Sequence, residues 1–517
     1  MRKVLFVAVL AGGLAALAAA AANSGSPGFK TAQGPMIDAV APGATYEPII
    51  SVGDTLSSGY MFESIPDGIS LSRNGNGTVD LYVNHETSTV PFPFTPATGV
   101  GFNDFTNAMV SKLRLSQNGG GVLQGWYAIQ SDANFQRFCS NFLATEEHGF
   151  DRPLLFTNEE ATDFVYRSGQ AWPVTAGDPA AEQAGLVVAY DVRNGKYKPI
   201  YGMGRHNHEN SVAIPGYGHP VVLSGDDTFT SNPAQSQLYS YIAGDADAVW
   251  NDEGDLYGLV LDNPAINDYY DYPVGVPLSQ PGTFKKIAKA DAVGDQTKLE
   301  AASDALNVFQ FVRVEDIAYD KRPGMQNVVY VVDSGRGSAS TSGNAFASTN
   351  GRVWKLVLDP NDPTRVTSLS VLIEGDDAPL QTADEIHQPD NIESTATSLL
   401  ITEDPGSSQQ FPFGSTDPRA TTARIWQYDL ATGTKRVAAK VNQSADEGPT
   451  DVDANPARGN LGAWESSGIV DASSVFGPGA FLVDVQAGTL VIKEEVRGTL
   501  TYQRDGGQLG LLRIPGA

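Results

Sequence analysis

One pattern recurs six times along this chain, and it restricts the possible folds more than any other feature. A polar or acidic residue is followed two or three places later by Ile or Val, then by a turn and an apolar strand that usually ends in Asn, Asp or Glu, and the second copy fits this pattern least well. The copies begin at residues 66, 138, 208, 314, 388 and 465. Four of the five intervals lie between 70 and 77 residues and one is 106, so the pattern indicates a series of equivalent supersecondary units.

Each unit contains enough strand-forming sequence for four strands. Between the copies lie segments such as 185–203, 351–374 and 423–441, in which an alternating strand, an Asp-containing turn and a second strand follow one another. Four antiparallel strands per unit, repeated around a ring, form a β-propeller. We therefore predict an all-β fold, a six-bladed β-propeller. A two-sheet sandwich is the main alternative, but it does not explain acids at the same two places in every copy.

Two segments depart from the repeat. The long interval contains residues 284–309, whose composition predicts a small helical insertion. At the N-terminus Arg2 and Lys3 precede an apolar run that ends in alanines, which is typical of a secretory signal peptide. We expect residues 1–22 to be this signal, residues 23–60 to be an N-terminal extension and residues 61–517 to be the propeller domain. The protein would then be periplasmic or extracellular, without a membrane span.

The charge of the chain limits its partners. It has 34 basic and 60 acidic side chains, a formal net charge of −26. This balance argues against nucleic acid and anionic membranes as partners and suits bound cations. A solvated acidic surface that keeps a secreted protein soluble explains most of these carboxylates equally well. We expect a monomer.

Acidic and other polar residues fall at the ends of the predicted strands. In a propeller these positions meet at one mouth of the central channel. The candidate cluster comprises Asn84, His85, Glu86, Cys139, Glu159, Glu160, His206, His208, Glu209, Asp226, Asp227, Arg313, Glu315, Asp316, Asp390, Asn391, Glu403, Asp404 and Glu465. Each acid alone is most often a turn-forming or solvated residue, but so many converging carboxylates would repel one another unless cations neutralise them. Carboxylate and amide oxygens suit calcium, whereas a thiolate favours a softer metal such as iron or zinc.

Cys139 is the single cysteine of the chain and cannot form an internal disulfide. A free cysteine is most commonly a small buried apolar residue. Because Cys139 stands at the head of the second copy and Glu159 and Glu160 follow it, we favour a metal-ligating thiolate. A catalytic nucleophile is less favoured, since nearby carboxylates raise the pKa of a thiol.

Two arginines stand beside the acidic groups. Arg205 is close to Glu209 in the chain, and we favour an ion pair for it, with substrate binding as the alternative. Arg313 lies two positions before Glu315 on an extended segment, so the two side chains share a face. Anion capture by Arg313 beside a metal is therefore the hypothesis for this residue.

Several motifs in this order resemble the PhoX-type alkaline phosphatases, over about residues 60 to 490. They are "YVNHE" (82–86), "CSN" (139–141), "TNEE" (157–160), "GRHNHE" (204–209), "SGDD" (224–227), "RVEDI" (313–317), "QPDNI" (388–392) and "LLITED" (399–404). The resemblance implies a six-bladed propeller that hydrolyses phosphate esters outside the cytoplasm, with a calcium and iron cluster at the channel mouth.

The resemblance also implies roles for individual residues. Cys139 matches an iron ligand, Glu209 and Glu315 match metal-binding glutamates, and Arg313 matches the arginine that binds phosphate. Glu159, Glu160, Asp227, Asp390 and Glu403 fall in matching motifs. We thus expect metal ligands at Cys139, Glu86, Glu159, Glu160, Glu209, Asp227, Glu315, Asp390 and Glu403. We expect catalytic roles for Arg313 and Glu315, and substrate binding by Arg313 and Arg205.

Three departures from the family pattern keep alternatives open. Ser140, Asn141 and Phe142 follow the cysteine where the family usually has Gly-Gly, "RVED" replaces Arg-Pro-Glu-Asp, and Arg2-Lys3 replaces a twin-arginine signal. The predicted function is a secreted phosphatase acting on phosphate monoesters with calcium and iron. The alternatives are a calcium-dependent propeller esterase, lactonase or phytase-like enzyme, and a non-enzymatic secreted calcium-binding propeller.

Overall fold

Six antiparallel blades surround a central channel in the computed structural model, and the first strand of each blade lies next to the first strands of its two neighbours. The structure describes residues 27–91, 102–170, 172–231, 233–335, 350–376, 385–405, 411–412, 421–443 and 460–517. The predicted signal peptide, residues 1–22, lies outside the described residues. The six blades begin at the six copies of the sequence repeat, so the predicted six-bladed β-propeller is confirmed.

The first third of the chain forms two N-terminal strands and blades 1 and 2. The N-terminal strands are β1 (Ile37–Ala39) and β2 (Thr45–Ser51). Blade 1 consists of β3 (Pro66–Arg73), β4 (Thr78–His85), β6 (Met109–Ser116) and β7 (Val122–Ile129), with β5 (Phe102–Asp104) between β4 and β6 in the chain. Blade 2 consists of β8 (Phe138–Ala144), β9 (Leu154–Glu159), β12 (Val187–Asp191) and β13 (Lys196–Ile200). A small ribbon of β10 (Phe164–Val165) and β11 (Glu182–Gln183) follows β9.

Blades 3 and 4 are joined into one continuous sheet. Blade 3 consists of β14 (His208–Ala213), β15 (Val221–Asp226), β16 (Leu238–Ile242) and β17 (Asp255–Leu261), with α1 (Ala246–Trp250) before β17. Blade 4 consists of β19 (Val314–Tyr319), β20 (Val328–Asp333), β21 (Arg352–Asp359) and β22 (Asp362–Glu374). The strand β18 (Ser279–Lys286) pairs with both β17 and β22 and so connects the two blades.

The predicted helical insertion near residues 284–309 is confirmed. Two helices, α2 (Lys289–Ala292) and α3 (Gln296–Leu306), follow β18. The Asp295 side chain accepts a hydrogen bond from the Lys298 N–H and caps α3 at its start. The helices of the described residues lack the length and hydropathy of a membrane span.

Blades 5 and 6 complete the ring. Blade 5 consists of β23 (Pro389–Ser394), β24 (Ser398–Glu403), β26 (Arg424–Asp429) and β27 (Lys435–Val441). The short strand β25 (Phe411–Pro412) pairs with β28 (Asn460–Leu461). Blade 6 contains β29 (Trp464–Asp471), β30 (Ala480–Arg497) and β31 (Leu500–Arg513), with α4 (Ser473–Phe476) after β29.

The N-terminal segment closes the ring. Strand β2 pairs with β31 in antiparallel register, with Thr45 opposite Arg513, and supplies the fourth strand of blade 6. Strand β1 pairs with β27 and adds a fifth strand to blade 5. Residues 23–60, which we expected to be an extension, therefore contribute strands to two blades. The pairing of β2 with β31 joins the N-terminal segment to the C-terminal strand, so sheet hydrogen bonds close the ring.

Apolar cores lie between neighbouring blades, because each blade packs on both faces. In β9, Leu154 and Phe156 contact the core shared with blade 3, whereas Leu155 contacts the core shared with blade 1. Successive side chains of a strand point to opposite faces, so a strand buried on both faces is apolar at nearly every position. Outer strands such as β13 are partly exposed and carry Lys196 and Lys198. This arrangement leaves the start of each inner strand as the place where polar groups meet.

Candidate metal centre

A cavity of about 680 Å³ opens at the end of the channel where the six inner strands begin. We call it the mouth cavity. Residues from every blade line it, and acidic side chains predominate among the charged ones. The inner strands contribute Asp67, Glu209, Glu315, Asp390 and Glu465, together with the thiol of Cys139.

A register shift near the start of each inner strand explains this convergence. In blades 1 to 5 the first residue of the strand pairs with the second strand, and one extra residue then interrupts the ladder. The first side chain within the shift lines the mouth cavity. These residues are Asp67, Cys139, Glu209, Glu315 and Asp390. In blade 6 the shift follows Ser466, so Ser467 takes this place and Glu465 lies two residues earlier.

The potential ligand atoms form three overlapping groups. The atoms within each group all lie within 4.8 Å of one another. The groups are Asp67 with Glu86 and Cys139, Cys139 with Glu160 and Glu209, and Glu209 with Glu315 and Asp390. Cys139 and Glu209 each belong to two groups, so the three groups form one continuous centre. Six of the nine expected ligands, Glu86, Cys139, Glu160, Glu209, Glu315 and Asp390, are therefore brought together.

In blades 2 and 5 the second strand ends in an acidic residue and a second acid follows it directly, with the two side chains pointing in opposite directions. In blade 2, Glu159 pairs with the first residue of the inner strand, and Glu160, one residue later, lines the cavity. In blade 5, Glu403 and Asp404 are related in the same way. Because side chains alternate along an extended chain, only the second acid of each pair faces the mouth cavity.

Glu159 and Glu403, both expected as ligands, are held by ion pairs away from the cavity. Arg167 Nη1 and Nη2 each donate to Glu159 at 2.7 Å. Arg424 Nε and Nη2 donate to Glu403 at 2.8 and 2.9 Å, and Trp426 Nε1 donates at 2.8 Å. Both glutamates also accept backbone N–H groups from neighbouring loops. These carboxylates therefore stabilise the backbone next to the mouth cavity.

Arg205, expected to bind substrate, also lies elsewhere. Its Nη2 is 3.2 Å from Glu182 Oε2, and its guanidinium stacks over the Tyr201 ring at 5.0 Å. Arg205 is not among the residues that line the mouth cavity. Arg205 therefore forms an ion pair, which was the favoured interpretation of this residue, and its partner is Glu182.

Arg313 does line the mouth cavity. Its Nε and Nη2 donate to Asp227 at 2.7 and 2.6 Å, a bidentate contact, and Nη2 lies 3.0 Å from Glu315 Oε1. The guanidinium carbon is 4.8 Å from the centre of the Phe229 ring. Asp227, which we expected to bind metal, is thus the residue that orients Arg313. A guanidinium fixed on two sides presents its charge to the cavity in one orientation.

The carboxylates of the centre interact unfavourably with one another. Burial, and then the charge of Asp67, raises the pKa of Glu86 to about 8. Burial, followed by Asp67 and Glu315, raises the pKa of Glu209 well above its usual value. Burial, followed by Asp67 and Glu209, does the same to the pKa of the Cys139 thiol. A bound cation would reverse these shifts, because it stabilises the ionised forms.

Two buried carboxylate oxygens in the centre lack a hydrogen-bond partner among the described residues. They are Glu209 Oε2 and Asp67 Oδ1. Buried carboxylate oxygens normally have a partner, and a cation would supply one. Several carboxylates together with one thiol form a donor set that fits hard cations such as calcium and a softer one such as iron. The residues present therefore fit a metal centre.

Sequence reasoning missed several residues that line the cavity, and two of them, Asp67 and Arg137, stand at positions that the repeat relates to expected site residues. Asp67 lies in the first copy of the repeat, "PDGIS", at the place that Cys139 takes in the second copy. Arg137 stands two residues before Cys139, as Arg313 stands two residues before Glu315. An alignment of the six copies on their register shifts would have found both residues.

Comparison with known proteins gives one match in sequence. A family model described as "Alkaline phosphatase PhoX" matches residues 142–449, a range that contains β14, β19 and β23 with Glu209, Glu315 and Asp390. No curated protein matches the chain.

Several solved structures are similar in fold at very low identity. The NanB sialidase of Streptococcus pneumoniae has 8% identity and a TM-score of 0.42, over 91% of this chain and 70% of its own. An α-L-arabinofuranosidase of Fusarium graminearum has 8% identity and a TM-score of 0.37, over 90% and 98%. A putative 6-phosphogluconolactonase of Bacteroides fragilis has 10% identity and a TM-score of 0.26, over 71% and 95%.

Proposed function

Because this chain belongs to the PhoX family of alkaline phosphatases, we propose that it hydrolyses phosphate monoesters in the mouth cavity with the help of bound calcium and iron. One observation carries the proposal: three overlapping ligand groups, each within 4.8 Å, lie in the same cavity as Arg313. The cavity combines a site that fits cations with a fixed guanidinium, the two elements that recognition of a phosphate ester requires.

The residues that would hold the cations are those of the three ligand groups. Glu209 connects two groups and would be shared between neighbouring ions. Cys139 also belongs to two groups and is the one soft donor of the centre, so we propose that iron is bound beside it. Asp67, Glu86, Glu315 and Asp390 provide hard oxygen donors, which suit calcium. When bound, these cations would neutralise charge on the phosphoryl oxygens and activate an oxygen nucleophile.

Arg313 would bind and orient the phosphate. Its bidentate contact with Asp227 holds the guanidinium plane, and Phe229 supports that plane from one side. A guanidinium forms paired hydrogen bonds with phosphate oxygens and keeps its charge at alkaline pH. Glu315 contacts Arg313 at 3.0 Å and belongs to a ligand group, so it would couple the position of the arginine to that of the cations.

The proposal keeps the expected oligomeric state and localisation and gives three of the expected site residues a structural role. We propose that the protein acts as a monomer in the periplasm or outside the cell, after removal of the N-terminal signal. The ion pairs of Glu159, Glu403 and Arg205 support structural roles for these three residues in the proposed enzyme.

Hydrolysis of p-nitrophenyl phosphate by the purified protein tests this function. We expect turnover that a chelator abolishes and that added calcium and iron restore together. Activity that persists after complete chelation, or no activity with both metals restored, would contradict the proposal.

Substitution of Cys139 separates a mixed centre from one that binds calcium alone. If the thiolate ligates iron, Cys139→Ala removes iron and activity while the melting temperature of the propeller changes little. If both iron content and activity survive the substitution, the softer ion is not bound by Cys139. Cys139→Ser, which keeps the size and offers a harder donor, is the matched control.

A further inference from the structure

Arg137 and Arg313 occupy the same position in two different blades. Arg137 directly precedes Phe138, the first residue of β8, and Arg313 directly precedes Val314, the first residue of β19. Both arginines line the mouth cavity. In the other copies this place holds Ile65, Asn207, Gln388 and Glu465. The fold therefore presents two guanidinium groups at the same level of the cavity, from blades 2 and 4.

The backbone conformation at position 137 is set by the fold and does not depend on the arginine side chain. Arg137 has φ of 42°, in the left-handed region. Ile65 and Gln388, at the same place in blades 1 and 5, have φ of 50° and 49°. The chain thus adopts this conformation with three different side chains. Another L-residue at position 137 adds little backbone strain beyond what arginine already has, and a substitution there reports on the side chain.

Arg137 is buried, but its acidic partner differs from that of the structural arginine Arg167. Its Nη1 donates to Asp163 Oδ2 at 2.6 Å and its Nη2 to the Val90 carbonyl at 3.4 Å, a long contact. The Asp163 side chain is 34% exposed, so this ion pair lies at the edge of the cavity. Arg167, in contrast, forms a bidentate pair with the fully buried Glu159. Arg137 is held in place, and Asp163, one of its partners, is a side chain that solvent or an incoming anion can reach.

The mouth cavity is strongly acidic, so each basic side chain that lines it is important for binding an anion. Among the described residues that line the cavity, ten are Asp or Glu and two, Arg137 and Arg313, are basic. Arg313 already uses two of its nitrogen atoms on Asp227. A phosphate dianion that enters this acidic space gains from every guanidinium it reaches, because charge-assisted hydrogen bonds to phosphate are the strongest the protein can offer.

We infer that Arg137 is a second phosphate-binding residue, which contacts the phosphoryl group of the substrate on the blade 2 side while Arg313 contacts it on the blade 4 side. The inference rests on the proposed function. Asp163 is then a resident counter-ion that competes with the phosphate for Arg137. Removal of Asp163 should strengthen phosphate binding, whereas removal of Arg137 should weaken it.

Calorimetric binding of inorganic phosphate to the protein, as purified with its metals, tests this inference without requiring turnover. The variants are Arg137→Gln, Asp163→Asn and Arg313→Gln. Arg365→Gln, whose exposed ion pair with Asp262 is remote from the cavity, is the matched control. We expect the phosphate Kd to rise about 10- to 100-fold in Arg137→Gln, as for loss of a charge-assisted hydrogen bond, to fall in Asp163→Asn and to stay unchanged in Arg365→Gln.

Each outcome decides the question. A merely structural Arg137–Asp163 pair predicts a lower melting temperature in both variants and an unchanged phosphate Kd, which would overturn the inference. If Arg137→Gln does not fold or loses its metals, Asp163→Asn still decides, because tighter binding supports the inference and equal or weaker binding refutes it. A phosphate Kd that depends on Arg313 but not on Arg137 refutes this inference alone. Absence of p-nitrophenyl phosphate turnover in a protein that binds phosphate through both arginines refutes the proposed enzyme instead.

Discussion

The described residues of the central channel line two polar cavities, which differ in the partners that their acidic side chains have. The mouth cavity is lined by the starts of the six inner strands. The second cavity, of about 300 Å³, is lined by the residues that follow in the same strands, and we call it the channel cavity. Its acidic side chains include Glu147, Asp316, Glu393 and Asp471. The same six strands therefore build both sites, which makes the two cavities directly comparable.

In the channel cavity the protein supplies a partner for its acids. Lys321 donates to Glu393 at 2.6 Å. Asn210 donates to Asp316 at 2.6 Å, and the backbone N–H groups of two isoleucines also donate to it. Tyr319 donates to Glu147 at 3.0 Å. Each of these three carboxylates is thus compensated by hydrogen bonds or by a cationic side chain of the protein itself.

In the mouth cavity the acids face one another. Glu209 has one oxygen without a hydrogen-bond partner among the described residues, although it lies within 4.8 Å of Glu315 and Asp390. Burial and then Glu465 raise the pKa of Asp390 well above its usual value. The fold is thus able to supply partners for buried acids such as Asp316 and Glu393 in the channel cavity, so the buried carboxylate oxygens without a partner at the mouth indicate an external cation. This difference locates the proposed centre better than the number of acids does.

The largest expected effect comes from Glu209, the glutamate shared by two ligand groups. Glu209→Gln keeps the shape but removes the charge that two neighbouring cations would share. We expect p-nitrophenyl phosphate turnover to fall by about 10³-fold, since bound metal contributes several kcal/mol to transition-state stabilisation. Glu393→Gln in the channel cavity is the matched control; because Glu393 lies outside the ligand groups, it should change turnover by less than about twofold, which corresponds to about 0.4 kcal/mol in the barrier. Equal losses in both variants would show that the two cavities do not differ as proposed.

The next largest effect is on the stability of the protein at acidic pH, and it comes from His148 in the channel cavity. Burial lowers the pKa of His148 to about 4, with Glu147 acting in the opposite direction and Lys321 in the same one. Since the unfolded histidine titrates near 6.5, the unfolded chain gains the proton first, and stability should fall as the pH decreases from about 6.5 to 4. The expected loss from this residue is about 3 kcal/mol.

Urea unfolding of wild type and His148→Asn at pH 7.5 and pH 4.5 measures this contribution. Asparagine can still accept the hydrogen bond from the Thr145 N–H that His148 Nδ1 accepts. The free energy of unfolding should depend less steeply on pH in the variant than in wild type. Identical slopes would exclude His148 as a source of the acid sensitivity.

The smallest effect is expected from the ion pair that compensates Glu393. Lys321→Met removes the cation but leaves two backbone N–H groups on the carboxylate. Because the Lys321 side chain is 32% exposed, solvent screens the lost charge, and the free energy of unfolding should fall by about 1 kcal/mol. Turnover and metal content should stay at wild-type values. A loss of metal in this variant would mean that the channel cavity takes part in the centre.

The repeat in the sequence predicts the inner strands well, and the reason is physical. Each copy contains an acid or cysteine, a β-branched residue and a strand, and the six inner strands start at or next to the six predicted positions. The helical insertion was also predictable, because α3 lies where the spacing of the copies increases. The pairing of β2 with β31 was not, since it joins Thr45 to Arg513 across nearly the whole chain and short strands carry little signal of their own.

Within the site, a shift of one residue limits what the sequence can predict. Glu159 and Glu160 are identical side chains in consecutive positions, and only the strand register decides that the second one faces the cavity. The same one-residue distinction separates Glu403 from Asp404. Arg205 was expected to bind substrate because it stands beside a candidate ligand group in the chain, yet its side chain contacts Glu182, whereas Arg137 lines the cavity. The sequence repeat predicts that such residues lie in one region, whereas the strand register determines which side chains face the cavity.

Elemental analysis of the dialysed wild-type protein beside Glu209→Gln tests the central claim most directly. If cations compensate the acids of the mouth cavity, the wild-type protein retains stoichiometric calcium and iron and the variant loses metal while it remains folded. If the wild-type protein holds no tightly bound metal, or if the variant holds the same amount, the mouth cavity is not a metal centre and the proposed phosphatase lacks its chemical basis.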